Sequence, residues 1–211
     1  MHDILNTMKR NLTTLWALAS LISAALAAPQ TFDFKDPKGV NNATFKLDGV
    51  LEAIAGSANG VSGAVTFDAE HPEATKGKIV VATATLQVPN PMMKEHLHGP
   101  QWMDVATYPE ITFDARELKN VKADGNKTSA DAVGTLTIKG TAKAMTVPVT
   151  LTYLPDKLSQ RVPNLKGDLL VIRANFVISR ADFGINPAAP EDKVAKEINL
   201  TLSIAGAARR P

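Results

Sequence analysis

Residues 130–153 read ADAVGTLTIKGTAKAMTVPVTLTY. Ala130, Ala132, Leu136 and Ile138 fall on one face of an extended chain, with Thr135, Thr137 and Lys139 on the other. Beyond Lys139-Gly140-Thr141 the alternation resumes: Met145, Val147, Val149, Leu151 and Tyr153 oppose Thr146, Thr150 and Thr152. A two-residue period with one apolar face is the pattern of a half-buried strand. Lys-Gly between two such runs suits a tight hairpin, because glycine supplies the positive φ that these turns need. The stretch is therefore a long hairpin whose apolar face needs cover.

The same period recurs along the chain. Phe45, Leu47, Leu51 and Ala53 alternate with Lys46, Asp48 and Glu52, and Val61, Val65 and Phe67 with Ser62, Thr66 and Asp68. Val80, Ala82, Ala84, Leu86 and Val88 form a face opposite Thr83, Thr85 and Gln87; Ile111, Phe113 and Ala115 form another. Leu170, Ile172, Ala174, Phe176 and Ile178, then Ile198, Leu200, Leu202 and Ile204, complete eight amphipathic strands. Turn residues stand between them at Ser57–Gly60, Lys76-Gly77 and Asp124-Gly125-Asn126. Asn90 as N-cap and Pro91 as first residue open a helix over Pro91–Leu97. A second helical turn is expected from Gln101 to Val105, which puts one short helical segment near residues 91–105. Pro155–Gly167 and Arg180–Asp192 read as irregular. No internal domain boundary or fixed repeat is visible.

Eight apolar faces can be buried in a sandwich or a closed barrel. Strands of about 9–11 residues favour the barrel, and closure removes exposed edges. The expectation is an all-β fold: an eight-stranded antiparallel β-barrel. Its apolar faces carry many small residues (Ala53, Ala82, Ala84, Ala115, Ala130, Ala132, Ala174, with Gly49, Gly63 and Gly134), and aromatic residues make up only 5% of the chain. Such a lining fills its own interior poorly, and an apolar void favours an apolar ligand. The alternative is that small residues simply let strands pack closely. An outer-membrane barrel needs aromatic girdles, and two Trp and two Tyr form none.

The first 27 residues differ from the rest. Lys9 and Arg10 precede an apolar run, Leu12 to Leu26, that ends in Ala25-Leu26-Ala27. Charged start, apolar middle and small residues at the cut are a secretory signal peptide. The run is shorter than the ~20 residues that span a bilayer, so stable membrane insertion is not expected. Residues 1–27 are read as signal peptide and 28–211 as one barrel domain, periplasmic or secreted after cleavage near Ala27. The formal charge of +2, without basic blocks, argues against nucleic acid. The absence of cysteine removes thiol catalysis and Cys-ligated metal.

Three stretches resemble, in order, those of the YceI-like family of periplasmic lipid-binding proteins. The first is Met93-Lys94-Glu95-His96-Leu97-His98-Gly99-Pro100-Gln101-Trp102-Met103-Asp104-Val105, running into Tyr108-Pro109-Glu110-Ile111-Thr112-Phe113. The second is Gly134-Thr135-Leu136-Thr137-Ile138-Lys139-Gly140, and the third Arg180-Ala181-Asp182-Phe183-Gly184. The resemblance covers about residues 31–206. It implies a lipocalin-like barrel with an elongated apolar cavity for a polyisoprenoid, an isoprenoid quinone or a fatty-acid derivative. The family's usual Arg-Asp pair is Lys94-Glu95 here, and Lys lacks the planar fork of Arg.

The candidate ligand-binding residues are Lys94, Glu95, His96, Trp102, Met103, Phe113, Phe176, Arg180 and Asp182. Two readings of the polar ones stand side by side. His96 closes a hydrogen-bond network with Lys94, Glu95, Arg180 or Asp182 across one barrel end, or Lys94, His96 and Arg180 meet a polar head group there. His96 and His98 two apart, without further ligands, are a poor metal site, so no metal or cofactor is expected. No nucleophile elbow, phosphate loop or carboxylate pair argues for an enzyme. The expected role is transport, storage or sequestration of a long-chain amphiphile. The alternatives are a ligand-free structural or stress-response module with a filled barrel, and an enzyme acting on a barrel-bound lipid. Barrel ends often pair, and the sequence leaves monomer and homodimer both open.

Overall fold

The computed structural model describes residues 28–210, so the segment read as a signal peptide lies outside the described residues. Ten strands follow in order: β1 (Gln30–Asp33), β2 (Asn42–Asp48), β3 (Ala53–Ala58), β4 (Val61–Phe67), β5 (Lys76–Ala82), β6 (Glu110–Asp124), β7 (Lys127–Ile138), β8 (Thr141–Leu154), β9 (Gly167–Ser179) and β10 (Glu197–Arg209). Two helices, α1 (Pro91–His98) and α2 (Leu158–Arg161), lie between them. Strand β1, then β4 through β10, form an antiparallel ring that closes where Asp33 of β1 pairs with Ala207 of β10. The eight-stranded antiparallel barrel expected from the alternation is the observed fold.

The hairpin β2–β3 lies outside that ring. It pairs through β2 with β10 over Asn199–Ser203. One edge of β10 therefore serves two strands, β2 toward its start and β1 near its end. Asn41, 2% exposed, sits at the junction. Its side chain accepts from the Ala205 N–H at 2.9 Å and donates to the Ala205 carbonyl at 3.1 Å. It also donates to the Phe34 carbonyl at 3.0 Å. The amide thus stands in for the backbone pair that Ala205 lacks where β1 and β2 part. Asp36 fixes the loop before it by accepting from the N–H groups of Lys38, Val40 and Asn41, and pairs with Arg161 of α2 at 3.0 Å. The far edge of β3 is also covered, since Ser57 and Gln87 exchange backbone bonds of 3.0 and 2.8 Å.

The hairpin β7–β8 is as read, with Lys139 at φ 49° and Gly140 at φ 72° in its two-residue turn. Elsewhere the alternation misleads. The run 45–53 is two strands, because the chain turns at Gly49–Glu52 (Gly49 N–H to Glu52 O, 2.9 Å). Lys76-Gly77 lies inside β5 rather than in a turn. The run 80–88 is broken by a 3₁₀ turn at Thr83–Thr85. That turn shifts the phase, so Ile79 and Val81 face inward on β5, and Leu86 and Val88 do so after the turn. Gln101–Val105 is a series of turns, not helix, and the segment read as irregular after Pro155 contains α2.

One end of the barrel is packed solid. Phe32 and Phe34 are fully buried, and the Tyr153 ring meets Phe32 edge-on at 6.2 Å and Phe67 at 6.0 Å. Under this plug lies Asp168, 0% exposed. It accepts from Tyr153 Oη at 2.8 Å, from the Asp156 N–H at 2.9 Å, and from Arg210. Burial alone would raise its pKa, but these bonds to the charged form outweigh burial and hold it below the usual carboxylate value.

Replacing Asn41 by Ala strands both Ala205 groups and the Phe34 carbonyl. At about 1–3 kcal/mol for a buried group left unpaired, Asn41→Ala is expected to lose about 3 kcal/mol or more in urea unfolding. Unchanged stability would mean that the ring closes without this amide.

Candidate functional site

The opposite end is hollow. A cavity of about 380 Å³ occupies that half of the barrel. Its wall is almost entirely apolar, and small residues face it at Ala43, Ala58, Gly77, Ala115, Ala132 and Ala174. The sequence argument from small side chains holds for Ala115, Ala132 and Ala174. It fails for Ala53 and Ala84, which are exposed, and Ala82, Ala130, Gly49, Gly63 and Gly134 do not line the cavity either. No plug residue (Phe32, Phe34, Phe67, Tyr153) lines the cavity, so the void is a dead end. Glu52 and His96 line it and are exposed, so it opens between the β2–β3 hairpin and α1.

The cover of the open end follows from local sequence. Asn90 caps α1 by accepting the Met93 N–H at 3.1 Å, with Pro91 at the first position. Met93, His96 and Leu97 sit at helical spacing and turn one face of α1 to the cavity. His98 Nε2 donates to the Leu86 carbonyl at 2.8 Å and ties the helix end to the wall. Beyond the helix, Trp102 and Met103 descend into the barrel, and Met103 is 6% exposed.

Arg180 organises the remaining loop. It is 2% exposed, and all five of its N–H donors reach backbone carbonyls. Nε donates to Ala195 at 2.7 Å, one terminal nitrogen to Ile185 at 3.1 Å and to Asn186, and the other to Val194 at 2.8 Å and Ala189 at 3.4 Å. Its guanidinium carbon lies 5.8 Å from the Trp102 ring centroid, a cation–π distance. Burial pushes its pKa down, and Glu191 opposes this. Lys139, held in its turn at positive φ, donates to the carbonyls of Pro100, Gln101 and Gly184 at 2.8, 3.3 and 3.2 Å. Three segments far apart in sequence are thus laced together at the mouth by two cations and a row of carbonyls.

Of the residues proposed for ligand contact, His96, Trp102, Met103, Phe113, Phe176 and Arg180 line the cavity. Lys94, Glu95 and Asp182 are exposed and stand outside its wall. Among the described residues no side-chain bond joins His96 to Lys94, Glu95, Arg180 or Asp182; the expected network is replaced by the carbonyl bonds of His98, Lys139 and Arg180. Glu52, Leu86, Val88, Val194 and Ile185 also line the cavity and were not singled out by sequence. Leu86 and Val88 do lie on the apolar face read for their run; the phase shift at Thr83–Thr85 instead misplaced Ile79 and Val81.

A closed antiparallel barrel with an apolar cavity in one half is an architecture of the ligand-binding type. Residues 35–206 match the model of the YceI-like domain, and the chain belongs to the YceI-like family. A UPF0312 protein of Yersinia pestis (strain Pestoides F) is 29% identical over 153 residues, covering 72% of this chain and 73% of that one. A UPF0312 protein of Pectobacterium carotovorum is 32% identical over 138 residues, covering 64% and 69%. Among solved structures, Burkholderia cenocepacia BcnA superposes with a TM-score of 0.65 at 22% identity, covering 78% of this chain and 95% of that one. A polyisoprenoid binding domain from Saccharophagus degradans superposes with a TM-score of 0.62 at 10% identity, covering 85% and 99%. Both structural likenesses concern the fold.

Lysine cannot reach five carbonyls. Arg180→Lys is therefore expected to cost about 2–4 kcal/mol and to speed amide exchange over residues 186–195, while β7–β9 keep their protection. Exchange unchanged over 186–195 would contradict this role.

Proposed function

We propose that the protein is a binding protein, not an enzyme, that sheathes the chain of a long amphiphile in its barrel. The ligand class is a polyisoprenoid, an isoprenoid quinone or a fatty-acid derivative, held for transport, storage or sequestration. The observation that carries this reading is the cavity itself: apolar-walled, ending short of the aromatic plug on one side and open on the other. Its volume of about 380 Å³ lies in the range of ligand sites, roughly 300–1,000 Å³. A filled barrel would leave no such space. Each methylene taken out of water contributes about 0.8 kcal/mol, so a sheathed chain of ten or so offsets a substantial part of the association cost, roughly 4–15 kcal/mol. The polyisoprenoid binding domain from Saccharophagus degradans, which shares the fold, supports the ligand class.

Export belongs to the same proposal. Lys9 and Arg10, the apolar run and Ala25-Leu26-Ala27 would direct the chain out of the cytoplasm, and cleavage after Ala27 would release residues 28–211 into the periplasm or beyond. The ring spans residues 30–209 and needs nothing upstream of the cut.

The test uses Ala132 and Ala174, buried on two strands that face the lumen. In a close-packed core, a small-to-large change costs about 1–3 kcal/mol. Here the added methyls have room. Ala132→Leu with Ala174→Leu is expected to abolish uptake of farnesol and of a fatty amide from solution, with the melting temperature within about 5 °C of wild type. Undiminished uptake would place the ligand elsewhere and overturn the reading.

A further inference from the structure

The turn joining β2 to β3 is Gly49-Val50-Leu51-Glu52, and its two central residues are apolar. Turn tips in water favour Gly, Asn, Asp, Pro and Ser. Here Val50 is 90% exposed and Leu51 65% exposed. The tip is nonetheless held, since the Gly49 N–H meets Glu52 O at 2.9 Å and the Leu51 N–H meets Asp192 O at 2.8 Å. Met92 of α1 is 67% exposed. Glu52, beside Leu51, and Met93, beside Met92, line the same cavity. The three apolar side chains therefore rim its mouth from two sides.

We propose that Val50, Leu51 and Met92 dock the barrel mouth on a lipid bilayer, with the hairpin tip entering the interfacial region. This rests on the carrier reading: an apolar chain that passes between bilayer and cavity avoids water only if the mouth meets the membrane. The three side chains offer on the order of 400 Å², about half of the ~800 Å² per partner in a stable protein interface, which argues against a second copy as the occupant. Insertion of a few apolar side chains into a bilayer needs no such area. The exposed charges next to these segments in the chain are of both signs: Lys46 and Lys94 are offset by Asp48, Glu52 and Glu95, and Lys193 by Glu191 and Asp192, whose carbonyl holds Leu51. Docking is therefore apolar rather than electrostatic, and salt should change it little.

The test is co-sedimentation of the processed protein, residues 28–211, with phosphatidylethanolamine–phosphatidylglycerol vesicles at about 0.1 M and about 0.5 M NaCl. Wild type is expected to bind about equally at both. Val50→Asp with Leu51→Asp should lower vesicle partitioning at least about tenfold, with the melting temperature and farnesol uptake from solution unchanged. Val177→Asp, at a valine 47% exposed on β9, should leave partitioning as in wild type. Wild type that does not bind, a double variant that binds as wild type, or a wild-type dimer that the double variant splits would each overturn the proposal. Vesicle binding lost in the double variant, in a protein that takes up no apolar probe from solution, would sustain docking and overturn the carrier reading instead.

Discussion

Strand β10 changes partners along one edge, and the barrel depends on how that change is bridged. A ring of hydrogen-bonded strands tolerates no unpaired backbone group in its buried wall. On that edge Ala205 has no backbone partner, and the Asn41 amide supplies one donor and one acceptor in its place. Asp36 and Arg161 hold the loop that presents it. Closure of eight strands follows, and β2–β3 can depart from the ring to build the wall beside the mouth.

Closure fixes the barrel's width before any side chain is chosen, because strands stand about 4.8 Å apart and eight of them enclose just enough room for side chains or one ligand. Side-chain size then decides what each half contains. Phe32, Phe34, Phe67 and Tyr153 fill one end, braced by Asp168. Ala115, Ala132 and Ala174 face the other, and their missing volume is the cavity. Arg180 sits at that mouth as a spent cation, its donors all given to carbonyls, so it shapes the rim and has no N–H left for a ligand head.

The strands β7 through β10 were legible because their alternation is long; of β6 only Ile111–Ala115 could be read, because register shifts beyond Ala115 and Lys119 break its phase. The hairpin at Lys139-Gly140 was plain from residue type alone. Signals failed where the phase changes without a marker: Thr83–Thr85 is a 3₁₀ turn built from residues that also suit a strand, so Ala82 and Ala84 were assigned inward and Val81 was not. Val50-Leu51 hid a turn because its centre is apolar, and β1 is too short for a period. At the site, Trp102, Met103 and Phe176 could be found as large apolar residues in the right places. The roles of Arg180, Lys139 and Asn41 could not, because their partners are backbone carbonyls and amides that no side chain announces. An Asp opening the apolar run Asp168-Leu169-Leu170 was a clue to the buried carboxylate.

The central claim is that the hollow half of the barrel holds an apolar chain. Native mass spectrometry of the protein purified from the cells that make it measures this directly. The account predicts a reproducible added mass that organic solvent extracts and that fragments as an isoprenoid or acyl chain. A protein that arrives with its own mass alone, and stays so after incubation with isoprenoid quinones and fatty amides, would contradict it.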